Sequence, residues 1–419
     1  MLKIDSKSLF AFGEDCSLIK ENLRFRLNEG LPSGLKVLSC VNDNISLARN
    51  IAERIGKVRR VVILATGGSS LGGQAVCALS RCRDQLQAPT IEFWENIDPR
   101  TIKSSLDSVD FNDAAFISIS KSGETSEILA QTAIVINKFM FSKYAKLLSE
   151  RMFVVTQSNQ SSLSVLAGKY GICVFPHPDN IGGRFSVFSI VGILPTVIAG
   201  LDAFALCEGA KDVIDSLRAQ DSSGQPFSTS ICATAKKLLS TERPVNAFVL
   251  MYYGDGLSLF ARWFAQLWAE SLGKRGFGLI PVIACGTVDQ HSQLQLYLDG
   301  PNDKLFTFVG IGGASFEGKE LRISGLPDKI SAKYLEGRGL NELFNAERDT
   351  TIEVLAQEGR DVRYMEIPNL NERALGQLMA YFMLEVVITA DMMKVDAFDQ
   401  PAVEKSKRLL KSKLSVECQ

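Results

Sequence analysis

Between residues 60 and 170, short runs of β-branched and other apolar residues alternate with segments of helical spacing. Such alternation predicts a mainly parallel sheet flanked by helices, because parallel neighbours need a long crossover that is normally a helix. The predicted fold class is therefore α/β. The predicted strands of this region are Arg60–Thr66, Ile91–Glu95, Ala114–Ser120 and Met152–Gln157, and the predicted helices are Leu71–Cys82, Pro99–Leu106, Thr125–Phe139 and Ser161–Tyr170.

The same order starts again in the second half of the chain. Residues 219–226 are mostly polar and small, which makes them the best candidate for a linker. Beyond them the strand Ala247–Tyr253 leads through glycines into a helix that ends at Leu272, much as the first strand leads through Gly67 and Gly68 into its own helix. This repeated strand–glycine–helix pattern indicates two related α/β units. Later strands are predicted at Gly278–Ala284, Leu305–Ile311 and Arg363–Ile367, and later helices at Leu340–Gln357, Glu372–Met393 and from Gln400 onward.

Charge and hydropathy narrow the range of partners. The chain has 46 Lys and Arg residues against 47 Asp and Glu residues, with no basic tract that would follow a nucleic-acid backbone or an anionic membrane. The most apolar stretch, Phe185 to Ala199, is interrupted by Ser, Gly and Pro and is too short to span a bilayer comfortably. We therefore expect a core helix there, a small-molecule ligand, and neither a nucleic-acid nor a membrane partner.

Two further features predict a cytoplasmic protein. The nine cysteines are scattered without a CxxC pair, which is typical of buried thiols in a reducing compartment. The first residues, from Met1 to Lys7, mix charges and offer no apolar region before a cleavage site.

The loop at residues 120–125 is the strongest candidate for a binding site. Its sequence is Ser120-Lys121-Ser122-Gly123-Glu124-Thr125, and it follows a predicted strand and opens a predicted helix. Hydroxyls, a flexible glycine and the free amides of a helix start can all donate to phosphate oxygens, and the helix dipole favours an anion. Glu124 is unusual in a phosphate cradle and favours a monophosphate over a polyphosphate. For this segment alone, an ordinary βα turn capped by Ser and Thr is an equally good interpretation.

Two other glycine-rich loops follow predicted strands. In Gly67-Gly68-Ser69-Ser70, the glycines let a ligand approach the backbone and Ser69 can hydrogen-bond it, although a simple tight turn explains the motif as well. In Gly182-Gly183-Arg184, the arginine would direct a fixed cation at a ligand oxygen or a developing oxyanion. An ordinary surface arginine is the alternative.

The predicted helix at 257–272 carries a narrow polar stripe of Ser258, Arg262, Gln266 and Glu270 on an otherwise apolar surface. Such a stripe either faces water or lines a cleft, and in a cleft Glu270 could serve as a general base.

The chain has only two histidines, so a histidine-based zinc site is not expected and acid–base chemistry by histidine has few candidates. His291 follows a predicted strand at a helix start, where it would reach a site. His177, between Pro176 and Pro178, is assigned to a turn.

Taken in order, six motifs between residues 67 and 407 resemble the glucose-6-phosphate isomerase family of the bacterial type: GGSSLG, SKSGET, GGRFS, QLWAESLGK, GTVDQH and FDQPAVEKSK. The resemblance implies two sugar-isomerase (SIS) units, each a mainly parallel sheet flanked by helices, and a C-terminal helical tail. It also implies no cofactor and a homodimer with shared active sites, in which the active-site histidine comes from the partner subunit. The corresponding limits are 1–45 for an N-terminal segment, 46–218 and 228–395 for the two units, and 396–419 for the tail.

The resemblance also implies roles for single residues in the interconversion of glucose 6-phosphate and fructose 6-phosphate, a step of glycolysis and gluconeogenesis. His291 and Lys407 would assist ring opening, Glu270 would move a proton between C2 and C1, and Arg184 would stabilise the cis-enediolate. The spacing from Gln400 favours Lys407 over Lys405 as the reacting lysine. The residues implied to bind substrate are Gly68, Ser69, Ser120, Lys121, Ser122, Gly123, Glu124, Thr125 and Gln266.

Three departures from the family pattern, at Gly73, Ala269 and Val288-Asp289, remove no reacting group.

Two alternative functions stay open. A noncatalytic sugar-phosphate sensor on the same fold would keep the loop at 120–125 without needing Glu270, His291 and Lys407 together, so their joint presence favours the enzyme. An isomerase that also acts on mannose 6-phosphate or an amino sugar phosphate would use the same groups.

Overall fold

The computed structural model describes residues 2–5, 21, 27, 31, 33–82, 88–157, 160–219, 225–242, 244–312 and 320–416. These residues form two five-stranded sheets. The first sheet has the order β3-β2-β4-β5-β6 and is parallel throughout. Its strands are β2 (Arg60–Leu64), β3 (Thr90–Trp94), β4 (Ala114–Ile119), β5 (Met152–Thr156) and β6 (Cys173–Pro176).

The second sheet has the order β1-β10-β9-β7-β8. Four of its strands are parallel, and β1, from the start of the chain, pairs antiparallel with β10 so that Ile4 lies opposite Met365. A strand from the predicted N-terminal segment therefore completes the sheet of the second unit. The strands are β1 (Lys3–Asp5), β7 (Ala247–Tyr253), β8 (Ile280–Cys285), β9 (Lys304–Ile311) and β10 (Asp361–Ile367).

Helices flank both sheets, as the alternation predicted. The longer ones are α1 (Val41–Ile55), α2 (Gly68–Cys77), α3 (Pro99–Ser108), α4 (Ser126–Met140), α5 (Ser162–Lys169), α6 (Ile190–Ile198), α7 (Ala203–Arg218), α8 (Gln225–Leu239), α9 (Ser258–Leu272), α10 (Leu294–Asp299), α11 (Leu340–Gln357), α12 (Glu372–Met392) and α13 (Pro401–Val416). Short helices or 3₁₀ turns occur at Ser33–Lys36, Val37–Cys40, Ala78–Cys82, Ala145–Leu147, Leu148–Arg151, Gly183–Phe185, Asp255–Leu257 and Ser331–Leu335.

Most predicted elements are confirmed within one to three residues of their bounds, and two need correction. The helix predicted at Leu71–Cys82 begins earlier, at Gly68, and continues beyond Cys77 as a 3₁₀ turn. The apolar stretch from Phe185 is helical only over α6, because the preceding residues form a turn around Arg184. Most of the predicted linker, residues 220–224, lies outside the described residues, so the unit boundaries stay a prediction.

The central strands are continuous apolar runs in the sequence because both of their faces are buried in the core. Val61 to Leu64 of β2 are fully buried, as expected for a parallel strand covered by helices on both faces. Helix α12 is long and apolar enough to cross a bilayer by length and composition alone, but 89% of its most apolar window is buried in the protein. It packs against α7 and α9 as a core helix.

Candidate active site

Strands β2 and β4 are neighbours in the first sheet, with Val62 opposite Phe116, so the loops that follow them open at the same edge. That edge is where ligands bind in open parallel sheets. The segment Gly67–Ser70, which is the N-cap and first turn of α2 and is called the loop after β2 below, follows β2, and the 120–125 loop follows β4.

Arg184 is the buried centre of the site. It lies in a 3₁₀ turn before α6, and its side chain is only 1% exposed, which excludes the alternative of an ordinary surface arginine. Its Nη1 donates to Glu270 Oε2 at 3.0 Å, and its Nε donates to Ser271 Oγ at 2.8 Å. Its Nη2 donates to the carbonyl oxygens of Ala397 at 2.6 Å and Asp399 at 3.0 Å.

Burial lowers the pKa of the Arg184 guanidinium, while the nearby carboxylate of Glu270 acts in the opposite direction. Arginine stays protonated in proteins, so the group remains a fixed cation. A guanidinium has five N–H donors. The hydrogen bonds to described residues use four of them, which leaves one N–H of Nη1 for a ligand.

Glu270 and Gln266 lie one turn apart on α9 and share the same face. Gln266 Nε2 donates to Glu270 Oε1 at 2.8 Å, so both oxygens of the carboxylate are oriented, one by Gln266 and one by Arg184. The Glu270 side chain is still 31% exposed. Within the described part of the chain, Gln266 Oε1 is buried and accepts no hydrogen bond. The polar stripe of α9 therefore lines a cleft at this end, whereas Arg262 is exposed and pairs with Glu95 at 2.9 Å.

The loop after β2 makes a close backbone approach that requires glycine. A Cβ on Gly68 would lie 2.2 Å from the carbonyl carbon of Gly183, immediately before Arg184. A Cβ on Gly67, whose φ is 56°, would lie 3.2 Å from Gln266 Nε2. The sequence thus brings the loop carrying Gly68 and Ser69 against both Arg184 and Gln266.

The loop at 120–125 leads into helix α4, whose N-terminus is not capped by a side chain. Thr125 is the N-cap residue of α4, yet its side chain makes no capping hydrogen bond. Its hydroxyl instead shares a 3.0 Å hydrogen bond with that of Ser120. The first-turn amides of α4 are consequently not satisfied by the cap, and together with the helix dipole they can receive an anion. This arrangement differs from the ordinary capped turn that the sequence also allowed.

Two residues hold this loop in shape. Gly123 has a φ of 66°, and a Cβ there would lie 2.2 Å from Ser161 Oγ, so only glycine fits. Glu124 accepts hydrogen bonds from the backbone N–H and the hydroxyl of Ser162, both at 2.7 Å, and these lower its pKa. The carboxylate thus ties the loop to α5, which accounts for a residue that seemed out of place in a phosphate cradle. Its contact with substrate stays a prediction.

His291 and Lys407 lie outside this cluster. His291 is exposed in the turn before α10, where its backbone N–H donates to Val288 at 3.1 Å. Lys407 is exposed on α13, and its ammonium pairs with Glu404 at 2.7 Å. His177, assigned to a turn, lies at the end of β6 just before one and is 2% exposed.

The sequence interpretation missed the groups that surround Arg184. Ser271 belongs to the same motif as Glu270, but a serine on a helix gave no sign of its partner. The carbonyl oxygens of Ala397 and Asp399 belong to the segment between α12 and α13, and only the FDQP motif marked that segment as unusual.

Comparisons with known proteins identify relatives along most of the chain. The family model described as phosphoglucose isomerase matches residues 41–296, a range that includes Arg184, Glu270 and His291 but ends before Lys407. A probable glucose-6-phosphate isomerase of Methanococcus maripaludis is 34% identical over 417 residues, covering 97% of this chain and 90% of that protein. A glucose-6-phosphate isomerase of Thermus thermophilus is 32% identical over 429 residues, covering 99% and 100%.

Solved structures confirm the predicted fold. A hypothetical protein from Thermus thermophilus has a TM-score of 0.85 and 30% identity, covering 99% of this chain and 100% of its own. A glucose-6-phosphate isomerase from Chlamydia trachomatis shares the fold, with a TM-score of 0.75 and 19% identity over 98% of this chain and 86% of its own. The match of more than half the chain to the family model, with relatives of this identity along nearly its whole length, shows that the chain belongs to the phosphoglucose isomerase family.

Proposed function

We propose that this protein is an aldose–ketose isomerase that interconverts glucose 6-phosphate and fructose 6-phosphate. The observation that carries the proposal is the pair formed by Arg184 and Glu270, a buried cation 3.0 Å from a partly exposed and oriented carboxylate. Proton transfer next to a carbonyl needs a positioned base and a fixed positive charge near the developing oxyanion. Relatives named for this reaction support the choice of substrate.

In the proposed mechanism the Glu270 carboxylate removes the proton from C2 of open-chain glucose 6-phosphate. The C2–H electron pair forms the C1–C2 double bond, and the carbonyl electrons move to O1 to give a cis-enediolate. The free N–H of Arg184 Nη1 stabilises that oxyanion. A proton then passes from O2 to O1, and the protonated Glu270 returns its proton to C1 as the carbonyl forms at C2. The unpaired Gln266 Oε1 would accept a hydrogen bond from a substrate hydroxyl.

The loop at 120–125 would hold the phosphate at the other end of the open chain. Ser120, Ser122 and Thr125 offer hydroxyls, Lys121 adds a positive charge, and the uncapped first turn of α4 offers amides. Gly68 and Ser69 lie on the neighbouring loop and would line the same pocket. The mechanism uses only side chains and backbone groups, so it requires no cofactor.

Ring opening is assigned to His291 and Lys407, which would exchange protons with O5 and O1 while the C1–O5 bond breaks. The hydrogen bonds described for Glu270 come from Arg184 and Gln266, and none involves His291 of the same chain. We therefore propose a homodimer in which His291 comes from the partner subunit. Exposed apolar side chains close to His291 in the chain support a protein contact there: Val288 and Leu296 are 64% and 55% exposed. Among the described strands, β8 is also an edge strand of the second sheet.

The proposed reaction would place the protein in glycolysis and gluconeogenesis, in the cytosol. The structure describes the side chains of six cysteines, and none of these six forms a disulfide, which supports a reducing compartment. They are Cys40, Cys77, Cys173, Cys207, Cys232 and Cys285.

Purified protein supplied with glucose 6-phosphate is expected to form fructose 6-phosphate, with kcat on the order of 1–1,000 s⁻¹. In deuterated water the hydrogen at C2 should exchange, because Glu270 passes it through a solvent-accessible carboxyl group. Mannose 6-phosphate, measured in parallel, defines the scope of the activity. Tight binding of the sugar phosphate without turnover would contradict the proposal and identify a sensor.

Mixing two inactive variants tests the shared site. A heterodimer of Glu270→Gln and His291→Ala subunits contains one site with both native residues, so random reassociation should restore about a quarter of wild-type activity. Glu270→Gln mixed with Arg184→Lys is the matched control, since both residues lie in one chain and no intact site can form. Activity that does not return in the first mixture, from subunits that do exchange, would contradict a shared histidine.

A further inference from the structure

The segment between α12 and α13, residues 394–400, is called the strap here. Its residues Val395 and Ala397 are buried, and its carbonyl oxygens at Ala397 and Asp399 accept both hydrogen bonds from Arg184 Nη2. The ring of Phe398 also packs against that of Phe185, with centroids 5.0 Å apart. The position of the strap therefore determines half of the hydrogen bonds that orient the Arg184 guanidinium.

Two neighbouring residues fasten the strap to the body of the protein: Arg275 Nη1 donates to the carbonyl oxygen of Lys394 at 3.3 Å, and Lys274 holds the part that contacts Arg184. Lys274 lies two positions beyond the end of α9, the helix that carries Glu270 and Gln266. Its side chain is 10% exposed, and its Nζ pairs with Asp399 Oδ1 at 2.7 Å and donates to the carbonyl oxygen of Asp396. A single ammonium thus bridges both ends of the segment that contacts Arg184.

The strap is also where α13 begins. Residues 401–415 are all exposed, and the side-chain hydrogen bonds described for α13 all lie within the helix. Among the described residues, the interaction of α13 with the candidate site is electrostatic, between Lys411 and Glu124. The strap is the covalent connection of the helix to the rest of the chain, and it therefore contributes to the direction in which α13 carries Lys407.

We propose that Lys274 is a positioning residue for the isomerisation: by fixing the strap, it orients the Arg184 guanidinium toward the enediolate and directs α13. The inference rests on the proposed function, because it assigns a purpose to the position of Arg184. Lys274 does not touch the reacting atoms, and its effect passes through the carbonyl oxygens of Ala397 and Asp399.

The test compares Lys274→Met, Lys274→Arg and the wild type. Methionine keeps the aliphatic packing and removes the ammonium. Asp399 is 50% exposed, so its carboxylate becomes hydrated and the fold should survive. Misplacing Arg184 should lower kcat by about 10- to 100-fold. KM should change by less than about threefold, because the phosphate loop is held separately. Lys274→Arg should recover most of the activity, since a guanidinium can reach the same two acceptors.

Two inhibitors separate positioning from a general loss of structure. A five-carbon aldonate 5-phosphate carries a negative charge where the enediolate does, whereas a hexitol 6-phosphate is neutral at C1 and C2. Lys274→Met should weaken binding of the aldonate in parallel with kcat and leave binding of the hexitol unchanged.

Lys304→Met is the matched control. Lys304 is 12% exposed, pairs with Asp303 at 2.7 Å and also donates to a backbone carbonyl, but it lies at the start of β9, away from the site. This variant should keep wild-type kcat.

Wild-type kcat in Lys274→Met, or equal weakening of both inhibitors, would overturn the inference. If the wild-type protein itself fails to convert glucose 6-phosphate, the proposed function fails. The contrast between the two inhibitors then still decides whether Lys274 orients Arg184 toward an anion.

Discussion

Replacing Glu270 with glutamine is expected to lower kcat for both directions of the isomerisation by about 100- to 10,000-fold, the contribution of a positioned general base. Glutamine has the same shape, and its single oxygen can still accept from Arg184, while its NH2 can donate to Gln266 if the Gln266 amide turns over. It cannot take a proton from C2. Exchange of the C2 hydrogen in deuterated water should fall by the same factor. Binding of a hexitol 6-phosphate, measured by calorimetry, should be retained.

The control for this variant is Glu353→Gln on α11. Glu353 also accepts a hydrogen bond from a glutamine one turn away, Gln357, at 3.0 Å. It lies on an exposed surface, and its replacement should leave kcat unchanged. A Glu270→Gln enzyme that still exchanges the C2 hydrogen at the wild-type rate would rule out Glu270 as the base.

Replacing Arg184 with lysine should lower kcat by about 100- to 1,000-fold, comparable to the loss of a donor to an oxyanion. Lysine keeps the positive charge but cannot reproduce the forked hydrogen bonds to Glu270, Ser271 and the strap. The free energy of unfolding should also fall by about 1–3 kcal/mol, because buried acceptors lose their donors. Steady-state kinetics, measured at a temperature well below the unfolding transition, separates the loss of catalysis from the loss of stability.

Arg363→Lys distinguishes catalysis from packing. Arg363 is fully buried, and its Nη2 donates to Glu385 Oε2 at 3.2 Å within a network that includes Tyr381 and Thr307. We expect its replacement to destabilise the protein without changing kcat per folded molecule. If Arg184→Lys lowers stability and leaves kcat intact in the same way, its role is structural and the oxyanion assignment is wrong.

The elements that could be predicted from the sequence are those with long, regular patterns. Strand Ala247–Tyr253 and helix Leu340–Gln357 match their predicted bounds, because an unbroken apolar run or a sustained helical repeat ends at a glycine or polar turn. Strand β1 has only three residues and gains its partner about 360 positions later, so no local pattern could reveal it. Helix α7 was missed as well, although its amphipathic spacing is regular.

The residues of the candidate site also fall into two groups, those that a motif predicts and those that no local pattern reveals. Motifs placed Ser120, Arg184 and Glu270 at the ends of elements, because residues that meet a ligand follow strands or open helices. Burial of Arg184 depends on Ser271 and on two strap carbonyls that carry no side-chain signature. Groups contributed by the backbone are invisible in sequence patterns, and the histidine of the proposed homodimer cannot be placed in the site from one chain.

The pairing of β1 with β10 has a consequence for biosynthesis. Lys3 lies opposite Glu366, so at ribosomal rates of 5–20 residues per second the first strand waits roughly 20 to 70 s for its neighbour to emerge. The second sheet can close only after nearly the whole polypeptide has left the ribosome. A chain without β1 would leave the β10 edge open to other strands, so deleting Lys3–Asp5 would promote aggregation.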